Sequence, residues 1–417
     1  MSLTVLDSSQ RLTDVLQNEH RKVMYVQDSI LSTCLQVISH DGLPTAKNEW
    51  YKYCPLAQLL RIPLTELRQE FKAPILDATA LRSDLELHIL NGILQIPNAL
   101  PEGIAIYNFS DPLATPLNLN TNPSYLEALN IAYAHDAYQI HILPNAPENV
   151  RIHVRFAQEG QSSTWVNTRL QLHIASGKRI QCVEEFCSIQ GAHAVLNYFS
   201  DYILHNNAEL HHTIIQESGA QGYHIQHRNV ILNEQANYQA LTFVAGVSLG
   251  RFDHVLCFKG HSASGTLRGL SLVNPQECID HHTRMQHEVA HTQSNQMYKS
   301  LVANKGTAVF NGVIHVLPHA QKTDAYQSSK NMLLGEDAQC FTKPQLEIFA
   351  NDVKCSHGTS TGHMDPQALF YLQSRGIGKK EAQRLLQDAF ALELIRQHDA
   401  TEIADYLEHK LNSQWLQ

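Results

Sequence analysis

Short segments of alternating apolar and polar residues follow one another from about residue 138 to residue 355, and they constrain the fold more than any other feature. Runs such as QIHILP, VRIHVRFA, TRLQLHIA and YQALTFVAGVSLG are separated by residues that favour turns. A period of two, broken by Gly, Asn, Asp or Pro, predicts short strands with one buried face. The runs number well over a dozen, more than a β-sandwich, the competing all-β architecture, normally needs.

Small residues often lead into these runs, and their spacing predicts how the strands are arranged. They include Ala208, Ala236, Ala263, Gly306 and Ala338. Three of the four intervals are roughly 27–32 residues, while the interval from 263 to 306 is longer and predicts an interruption. This loose repeat indicates the stacked coils of a solenoid, since a single coil cannot bury its apolar face alone.

Helical patterns flank the predicted strands. Asp365 and Pro366 match a helix N-cap followed by proline at the first position, and Gly376 matches a helix end. A second and a third helix are expected after Gly376, and the usual role of such helices is to pack on the β domain. The predicted regions are an N-terminal helical region (1–100), a connecting segment (101–137), a β core (138–360) and a C-terminal helical region (361–417).

Composition excludes several classes of function. The formal net charge of −9 argues against a partner bound through nucleic-acid phosphates. No apolar stretch reaches the roughly 18 residues of a membrane span, and residues 1–16 lack a secretory signal pattern. The eight cysteines are scattered without a disulfide framework, which favours reduced thiols and a cytoplasmic location.

One motif suggests a zinc peptidase. His287, Glu288 and His291 match the H-E-x-x-H pattern, in which a helix places two histidines on zinc and a glutamate on the attacking water. The histidine of the longer motif is absent, because Met297 stands there, and the region is otherwise predicted to be β. A chance match in a histidine-rich chain is therefore favoured over the peptidase. The sequence contains no phosphate-binding loop motif, so ATP hydrolysis by this chain alone is not expected.

A second alternative is a β-helix enzyme that acts on an extended carbohydrate. Such an enzyme needs a pair of carboxylates that line one groove. Glu184 and Glu185 are the only adjacent pair within the predicted strands, and adjacent residues of a strand point to opposite faces.

Cys355 and His357 are the strongest candidate metal ligands. They are two residues apart on a predicted strand, so their side chains should share a face. A thiolate and an imidazole suit iron, copper or zinc, but two ligands cannot complete a site and a partner chain would have to supply the rest. The alternative is that Cys355 is a small buried apolar residue and His357 a turn residue.

The segment from Phe310 to Ile377 resembles the SufB/SufD family of iron–sulfur cluster assembly scaffolds. The resemblance rests on FNG (310–312), QKTDA (321–325), KPQLEI (343–348), DVKCSHG (352–358) and LFYL (369–372) before SRGI (374–377), with support from DHHT (280–283) and YK (298–299). It extends over most of residues 45–397. The KCSHG segment (354–358) is most similar to the SufD branch of the family.

This resemblance implies a right-handed parallel β-helix with N- and C-terminal helical regions. It implies a non-catalytic scaffold that pairs with a SufB-like protein and binds a SufC-like ATPase through its C-terminal helices. The apolar residues expected to face this ATPase are Phe370, Leu372, Ile377, Leu385, Leu386 and Phe390. Iron or an iron–sulfur cluster would be held transiently at the SufB–SufD interface, where the matching positions are Cys355 and His357. A flavin on the complex and a homodimer are further possibilities for the family.

Overall fold

The structure, a computed structural model, describes residues 28–54, 56–61, 81–111, 113–114, 123–134, 136–158, 164–188, 194–217 and 222–413. In these residues the chain forms five α-helices: α1 (Asp28–Asp41), α2 (Tyr125–Tyr133), α3 (Pro366–Ser374), α4 (Lys379–Ile395) and α5 (Thr401–Ser413). Short 3₁₀ helices follow α1 at Glu49–Tyr51 and Leu56–Arg61.

The described residues also form nineteen strands. The first ten are β1 (Leu85–Leu90), β2 (Ile93–Gln95), β3 (Ile104–Asn108), β4 (Asp136–Ile142), β5 (Asn149–Gln158), β6 (Thr164–Ile174), β7 (Arg179–Ser188), β8 (Ala194–Leu204), β9 (Glu209–Glu217) and β10 (Tyr223–Leu232). The remainder are β11 (Asn237–Ala245), β12 (Leu249–Phe258), β13 (Ser264–Val273), β14 (Cys278–His287), β15 (Gln293–Val302), β16 (Thr307–Val316), β17 (Asp324–Leu333), β18 (Gln339–Ile348) and β19 (Lys354–His363).

The strands form two long sheets that face each other across a narrow interior. The odd sheet joins β5 to β19 through successive odd-numbered strands, and the even sheet joins β4 to β18 through even-numbered ones. All of these neighbours are parallel, while β1–β2 and β3–β4 are antiparallel pairs at the N-terminal end. The fold is therefore the expected parallel β-solenoid; its right-handed sense stays a prediction.

The coils of the solenoid have similar lengths. Tyr223 pairs with Leu249, 26 residues later, and Thr307 pairs with Gln339, 32 residues later. The expected interruption between residues 263 and 306 is wrong, because β14 and β15 continue both sheets in unbroken register. The longer interval arises because Ala263 precedes an odd strand whereas Gly306 precedes an even one.

A residue with left-handed backbone conformation stands at successive corners before the odd strands. These residues have φ between 56° and 62° and are Asn207, Gln235, Ser262, His291 and Lys322. The residue after each corner immediately precedes an odd strand. At positions 208, 236 and 263 this residue is one of the alanines noted in the sequence. Gly177, with a φ of 73°, holds the same position before β7, but the five later corners include one asparagine and no glycine, so the sequence alone does not reveal these turns.

Helices cover opposite outer faces of the solenoid. The helices α1 and α2 pack on the even sheet around Trp165, Phe199 and Leu249. The helices α4 and α5 pack on the odd sheet, where Leu394 and Leu407 are buried against its strands. Burying apolar surface in this way stabilises the fold by roughly 25 cal/mol per Å², so the covered coils form the stable body of the molecule.

The boundaries of the regions differ from the predicted ones at the N-terminal side. The strands β1 and β2 lie within the segment expected to be helical up to residue 100. The predicted helix signals are confirmed at the other end: Asp365 caps α3, Pro366 is its first residue, and Gly376 has a φ of 88° just beyond its end. Among the described helices, none has the length and apolar composition needed to cross a membrane.

Candidate metal and partner site at the end of the solenoid

The solenoid ends in an uncovered coil. The last strand of the odd sheet is β19 and the last strand of the even sheet is β18, and each has a neighbour on one side only among the described residues. Most side chains of β19 are exposed, whereas those of the preceding odd strand β17 are mostly buried or half-buried. Phe349, just after β18, is 60% exposed. Unpaired strand edges of this kind are templates for pairing with another chain.

The register places Cys355 and His357 on the inner side of the last coil. Cys355 lies opposite Ala325, and His357 lies opposite Gln327. Both of these β17 residues are buried in the interior. The expectation that the two side chains share a face is therefore met by the geometry of the strand.

Gln327 supports this position from the coil beneath. Its side-chain nitrogen donates to the Gly312 carbonyl oxygen at 3.2 Å, on the opposite sheet, and its oxygen accepts from Gln296 at 3.4 Å. A Cβ at Gly312 would stand 2.4 Å from the Gln327 nitrogen. The glycine of the FNG segment is therefore needed so that Gln327 can cross the interior directly below His357.

The Cys355 thiol is half-buried against the interior core. Burial raises its pKa, and the Asp324 carboxylate raises it further. The side chain is consequently a neutral thiol at pH 7, which is a weak nucleophile and a weak ligand until a cation displaces the proton.

His357 is exposed at the solenoid end, and neither of its ring nitrogens has a hydrogen-bond partner among the residues that the structure describes. A free imidazole can bind a metal through either nitrogen. In the described part of the chain, no three His, Cys, Asp or Glu side chains are grouped to hold a metal ion. Cys355 and His357 can thus contribute at most part of a coordination shell.

The backbone of β19 presents hydrogen-bonding groups at its free edge. The Lys354 N–H donates to the Thr323 carbonyl oxygen of the neighbouring β17 side at 2.9 Å. Because successive residues of a strand alternate in direction, the N–H and C=O groups of Cys355, His357 and Thr359 point to the unpaired side. These three residues can therefore bond an added strand without losing a bond to β17.

The helix α3 follows β19 directly and exposes apolar side chains. Phe370 is 72% exposed, and Leu385 on α4 is also exposed, whereas Leu372, Ile377 and Leu386 are partly buried. Within α3 no residue is buried. An exposed group of large apolar side chains is characteristic of a surface that binds another protein.

Phe390, the remaining residue of the predicted ATPase face, lies elsewhere. It packs against the cluster between α4 and the odd sheet, and the Lys299 ammonium stands 4.5 Å from its ring centre. Lys299 also donates to the Phe390 carbonyl oxygen at 2.8 Å and to the Glu393 carboxylate at 2.6 Å. Phe390 therefore attaches α4 to the solenoid, and the other predicted residues face outward or border the outer surface.

The H-E-x-x-H motif does not form a zinc site. His287 ends β14, and its two ring nitrogens lie 2.7 Å from the Thr292 hydroxyl and 2.9 Å from the Ser294 hydroxyl. His291 occupies one of the left-handed corner positions. Since the motif requires a helix, the zinc-peptidase alternative is wrong.

The carboxylates of Glu184 and Glu185 point to opposite sides of β7, as predicted. Glu184 lies in the interior and accepts hydrogen bonds from Tyr198 at 2.6 Å and Tyr202 at 2.5 Å. Glu185 faces α5 and accepts from Tyr406 at 2.5 Å. The pair lines no groove, so the carbohydrate-enzyme alternative loses the residues on which it depended.

No local pattern in the sequence indicated the polar cluster around Glu184 in the middle coils. Arg228, 44 residues further along the chain, donates to Glu184 at 2.7 Å, and both side chains are buried. Burial alone opposes ionisation of this carboxyl, but the Arg228 charge holds the Glu184 pKa well below its usual range. The cluster is a satisfied ion pair in the interior rather than an acid–base site.

Comparisons with known proteins agree with this geometry. The family model described as "SUF system FeS cluster assembly, SufBD core domain" matches residues 156–390, more than half of the chain. The chain belongs to the SufBD family. It is 31% identical to the iron–sulfur cluster assembly protein SufD of Escherichia coli (strain K12) over 366 residues, which are 86% of each chain.

The chain is also similar to two further proteins. An iron–sulfur cluster assembly SufBD family protein of Synechocystis is 26% identical over 411 residues, which cover 91% of this chain and 90% of the relative. The chloroplastic protein ABCI7 of Arabidopsis thaliana is 30% identical over 241 residues, which cover 57% of this chain and 51% of the relative. The expected family and its mainly β, parallel-solenoid fold are thus confirmed.

Proposed function

We propose that this chain is a SufD-type scaffold subunit, without catalytic activity of its own, that pairs with a SufB-like protein at the open end of its solenoid. The observation that carries the proposal is the position of Cys355 and His357 on β19. They lie directly above Ala325 and Gln327, whose side chains point inward from the preceding strand of the odd sheet. On its other side, β19 has no neighbouring strand among the described residues. A second solenoid that adds its own last strand there would face these two side chains.

Iron or a nascent iron–sulfur cluster is the proposed cargo of this interface. Cys355 and His357 supply a sulfur and a nitrogen ligand, a combination that suits iron, and the partner supplies the remaining ligands. Because burial raises the pKa of the Cys355 thiol, binding releases a proton, and the affinity for the cargo increases with pH.

The C-terminal helices are the proposed attachment site for a SufC-like ATPase. Phe370 and Leu385 are exposed, and Leu372, Ile377 and Leu386 lie beside them in α3, the following turn and α4. Phe390 contributes indirectly, because it fixes α4 on the odd sheet. The two partners are proposed to bind at the same time, one at this surface and one at the free edge of β19.

The proposed location is the cytoplasm, where the thiols stay reduced. All eight cysteines are free in the structure. When no SufB-like partner is present, a second copy of this chain is the alternative occupant of the β19 edge, since the same backbone groups can pair with themselves.

A proline at the free edge tests the pairing with SufB. Thr359→Pro removes an N–H that points away from β17, so the sheet keeps its internal bonds while strand addition is blocked. We expect the folded variant to lose co-purification with a SufB-like partner and to keep its SufC-like partner. Thr359→Ala is the matched control and should retain both. If Thr359→Pro forms the SufB complex as well as Thr359→Ala does, the edge is not the interface.

A charge on α3 tests the other surface. Phe370→Glu should abolish binding of the SufC-like ATPase and leave the SufB complex intact, because a carboxylate cannot be buried in an apolar contact without a large cost. Ile96→Glu is the control, since Ile96 is also an exposed apolar residue but lies in the N-terminal part of the solenoid. Equal ATPase binding by both variants would contradict the assignment of this surface.

A further inference from the structure

Two cysteines meet where the N-terminal segment (residues 49–54) lies against the even sheet. Cys54 ends this segment, and Cys278 is the first residue of β14. The sulfur atom of Cys278 lies 3.6 Å from the carbonyl oxygen of Tyr53, the residue before Cys54. Both cysteines are buried, with exposed fractions of 2% for Cys54 and 7% for Cys278. The fold therefore brings together two thiols from distant parts of the chain.

The two thiols form a short chain of hydrogen bonds. The Cys54 thiol is hydrogen-bonded to Cys278, and this contact, together with burial, raises the pKa of Cys54. A hydrogen bond that raises the pKa of a thiol has that thiol as its donor, so the Cys54 proton points to the Cys278 sulfur. The Cys278 thiol in turn donates to the Tyr53 carbonyl oxygen. Since the sulfurs already stand at hydrogen-bonding distance, only a short approach separates them from the length of a disulfide bond, about 2 Å.

The surroundings keep this pair in the thiol form at neutral pH. The Asp280 carboxylate raises the pKa of Cys54 further, and the Arg251 guanidinium offsets only part of the increase. A protonated thiol is a slow nucleophile. The pair is therefore reduced in the resting protein, and an oxidant converts it slowly.

The contacts that hold the N-terminal segment on the sheet can open locally. In the 3₁₀ helix Glu49–Tyr51 no residue is buried. The Arg251 guanidinium donates to the Trp50 carbonyl oxygen at 2.6 Å. Tyr53 stacks on Phe341 with ring centres 4.0 Å apart, yet Trp50 remains 42% exposed and Tyr53 37% exposed. Since local opening is favoured where few side chains are buried, this segment can lift and admit a small molecule to the two thiols.

We propose that Cys54 and Cys278 are a redox pair, which hydrogen peroxide converts into a disulfide that fixes the N-terminal segment to β14. The Cys278 sulfur, the more exposed of the two, attacks one peroxide oxygen and breaks the O–O bond, which gives a sulfenic acid. The released hydroxide leaves as water with the Cys278 proton. The Cys54 sulfur then displaces hydroxide from the Cys278 sulfur, and this hydroxide leaves as water with the Cys54 proton. The two thiols lose two electrons, and the peroxide is reduced to two molecules of water.

The disulfide changes how the N-terminal segment is attached. In the reduced protein the segment is held by hydrogen bonds, an ion pair and ring contacts, whereas in the oxidised protein a covalent bond is added to them. A cross-link between residues far apart in the sequence restricts the opened states strongly. Because disulfides in reducing compartments are usually transient and sense oxidation, the pair acts as a reversible redox switch on the rigidity of this segment.

Peptide mapping of the full chain under non-reducing conditions tests the pair. The reduced protein is treated with hydrogen peroxide, the remaining thiols are blocked, and the digest is analysed by mass spectrometry. We expect a peptide that links Cys54 to Cys278 and disappears after dithiothreitol. The control Cys257→Ser, which removes a half-buried thiol of β12, should form the same link at the wild-type rate. The proposal is overturned if peroxide oxidises Cys257 in the wild type while Cys54 and Cys278 stay unlinked.

Limited digestion with trypsin tests whether the disulfide fixes the segment. Lys52 is exposed, and cleavage after it requires the segment to open. We expect this cleavage to be at least about tenfold slower in the oxidised wild type than in the reduced protein. In Cys278→Ala and in Cys54→Ala, peroxide should leave the rate unchanged, and the use of both variants keeps a folding defect in one of them from deciding the test. Equal rates for the linked and the reduced wild type would overturn the proposed fixation.

Discussion

The middle coils and the last coil of the solenoid are built on the same register, but they differ in how their interior polar side chains are paired. Between β7 and β12 the interior holds Glu184, which accepts hydrogen bonds from Tyr198, Tyr202 and Arg228. In the last coil, the inner row ends with Cys355 and His357. The Glu184 carboxylate is paired with residues of its own interior, whereas the inner row of the last coil is open to solvent.

The same contrast applies to the outer faces. The helices α1, α2, α4 and α5 cover the earlier coils with apolar side chains. The strand β19 is exposed along most of its length. Repeat folds permit this division, because each coil contacts mainly its neighbours and stability need not be uniform along the stack. The covered coils hold the fold, and the uncovered coil is available to a partner.

The largest predicted effect is the loss of the buried ion pair in the middle coils. Arg228→Ala leaves the Glu184 carboxylate buried without its cation, and we expect a loss of about 3–5 kcal/mol in the free energy of unfolding. Urea denaturation measures the loss. The double variant Glu184→Gln, Arg228→Met should lose less than Arg228→Ala, because it removes both charges. A single variant within about 1 kcal/mol of wild type would show that the two regions do not differ as described.

A buried histidine on β14 predicts a dependence of stability on acid. Burial lowers the pKa of His281 to about 4, below the value of about 6.5 in an unfolded chain. As the pH falls from 6.5 to 4, the unfolded chain binds this proton and the folded chain does not, so stability decreases. His281→Gln should remove about 1–3 kcal/mol of the stability difference between pH 7 and pH 4.5. Curves of unfolding free energy against pH that stay parallel would contradict this role.

Two glycines near the open end predict the smallest effects and separate its buried part from its exposed part. A Cβ at Gly312 would displace Gln327, whereas nothing lies within 4 Å of one at Gly358. We expect Gly312→Ala to cost about 1–3 kcal/mol and Gly358→Ala to stay within about 0.5 kcal/mol of wild type. The midpoints of thermal unfolding of the two variants measure this difference. Equal midpoints would show that Gln327 has room to move.

Much of the architecture was predictable because it depends on patterns within single strands. Alternation of apolar and polar residues marked the strands, and Asp365, Pro366 and Gly376 marked the ends of α3. The number of residues in each coil could be predicted only loosely. The corners use Gln235, Ser262, His291 and Lys322 in left-handed conformation, where sequence rules look for glycine or asparagine. His291 is one of these corner residues, and it completed the H-E-x-x-H match only because its corner could not be recognised from the sequence.

The candidate site was only half predictable. Cys355 and His357 lie on one strand, so their common face follows from the period of two. The pairing of Glu184 with Arg228 joins different strands, and no local pattern reports such partners before the register is known. For the same reason, the attachment of Phe390 to the odd sheet through Lys299 could not be separated in advance from an outward position.

The most direct measurement of the central claim is the cluster content of the assembled complex. The full chain is co-expressed with SufB-like and SufC-like partners, and iron and acid-labile sulfide are measured per purified complex. His357→Ala is compared with Gly358→Ala, a neighbouring change on the same strand. We predict an intact complex in both cases, with at least a tenfold lower cluster content for His357→Ala alone. An intact His357→Ala complex with the cluster content of wild type would contradict the claim that the open coil supplies a ligand.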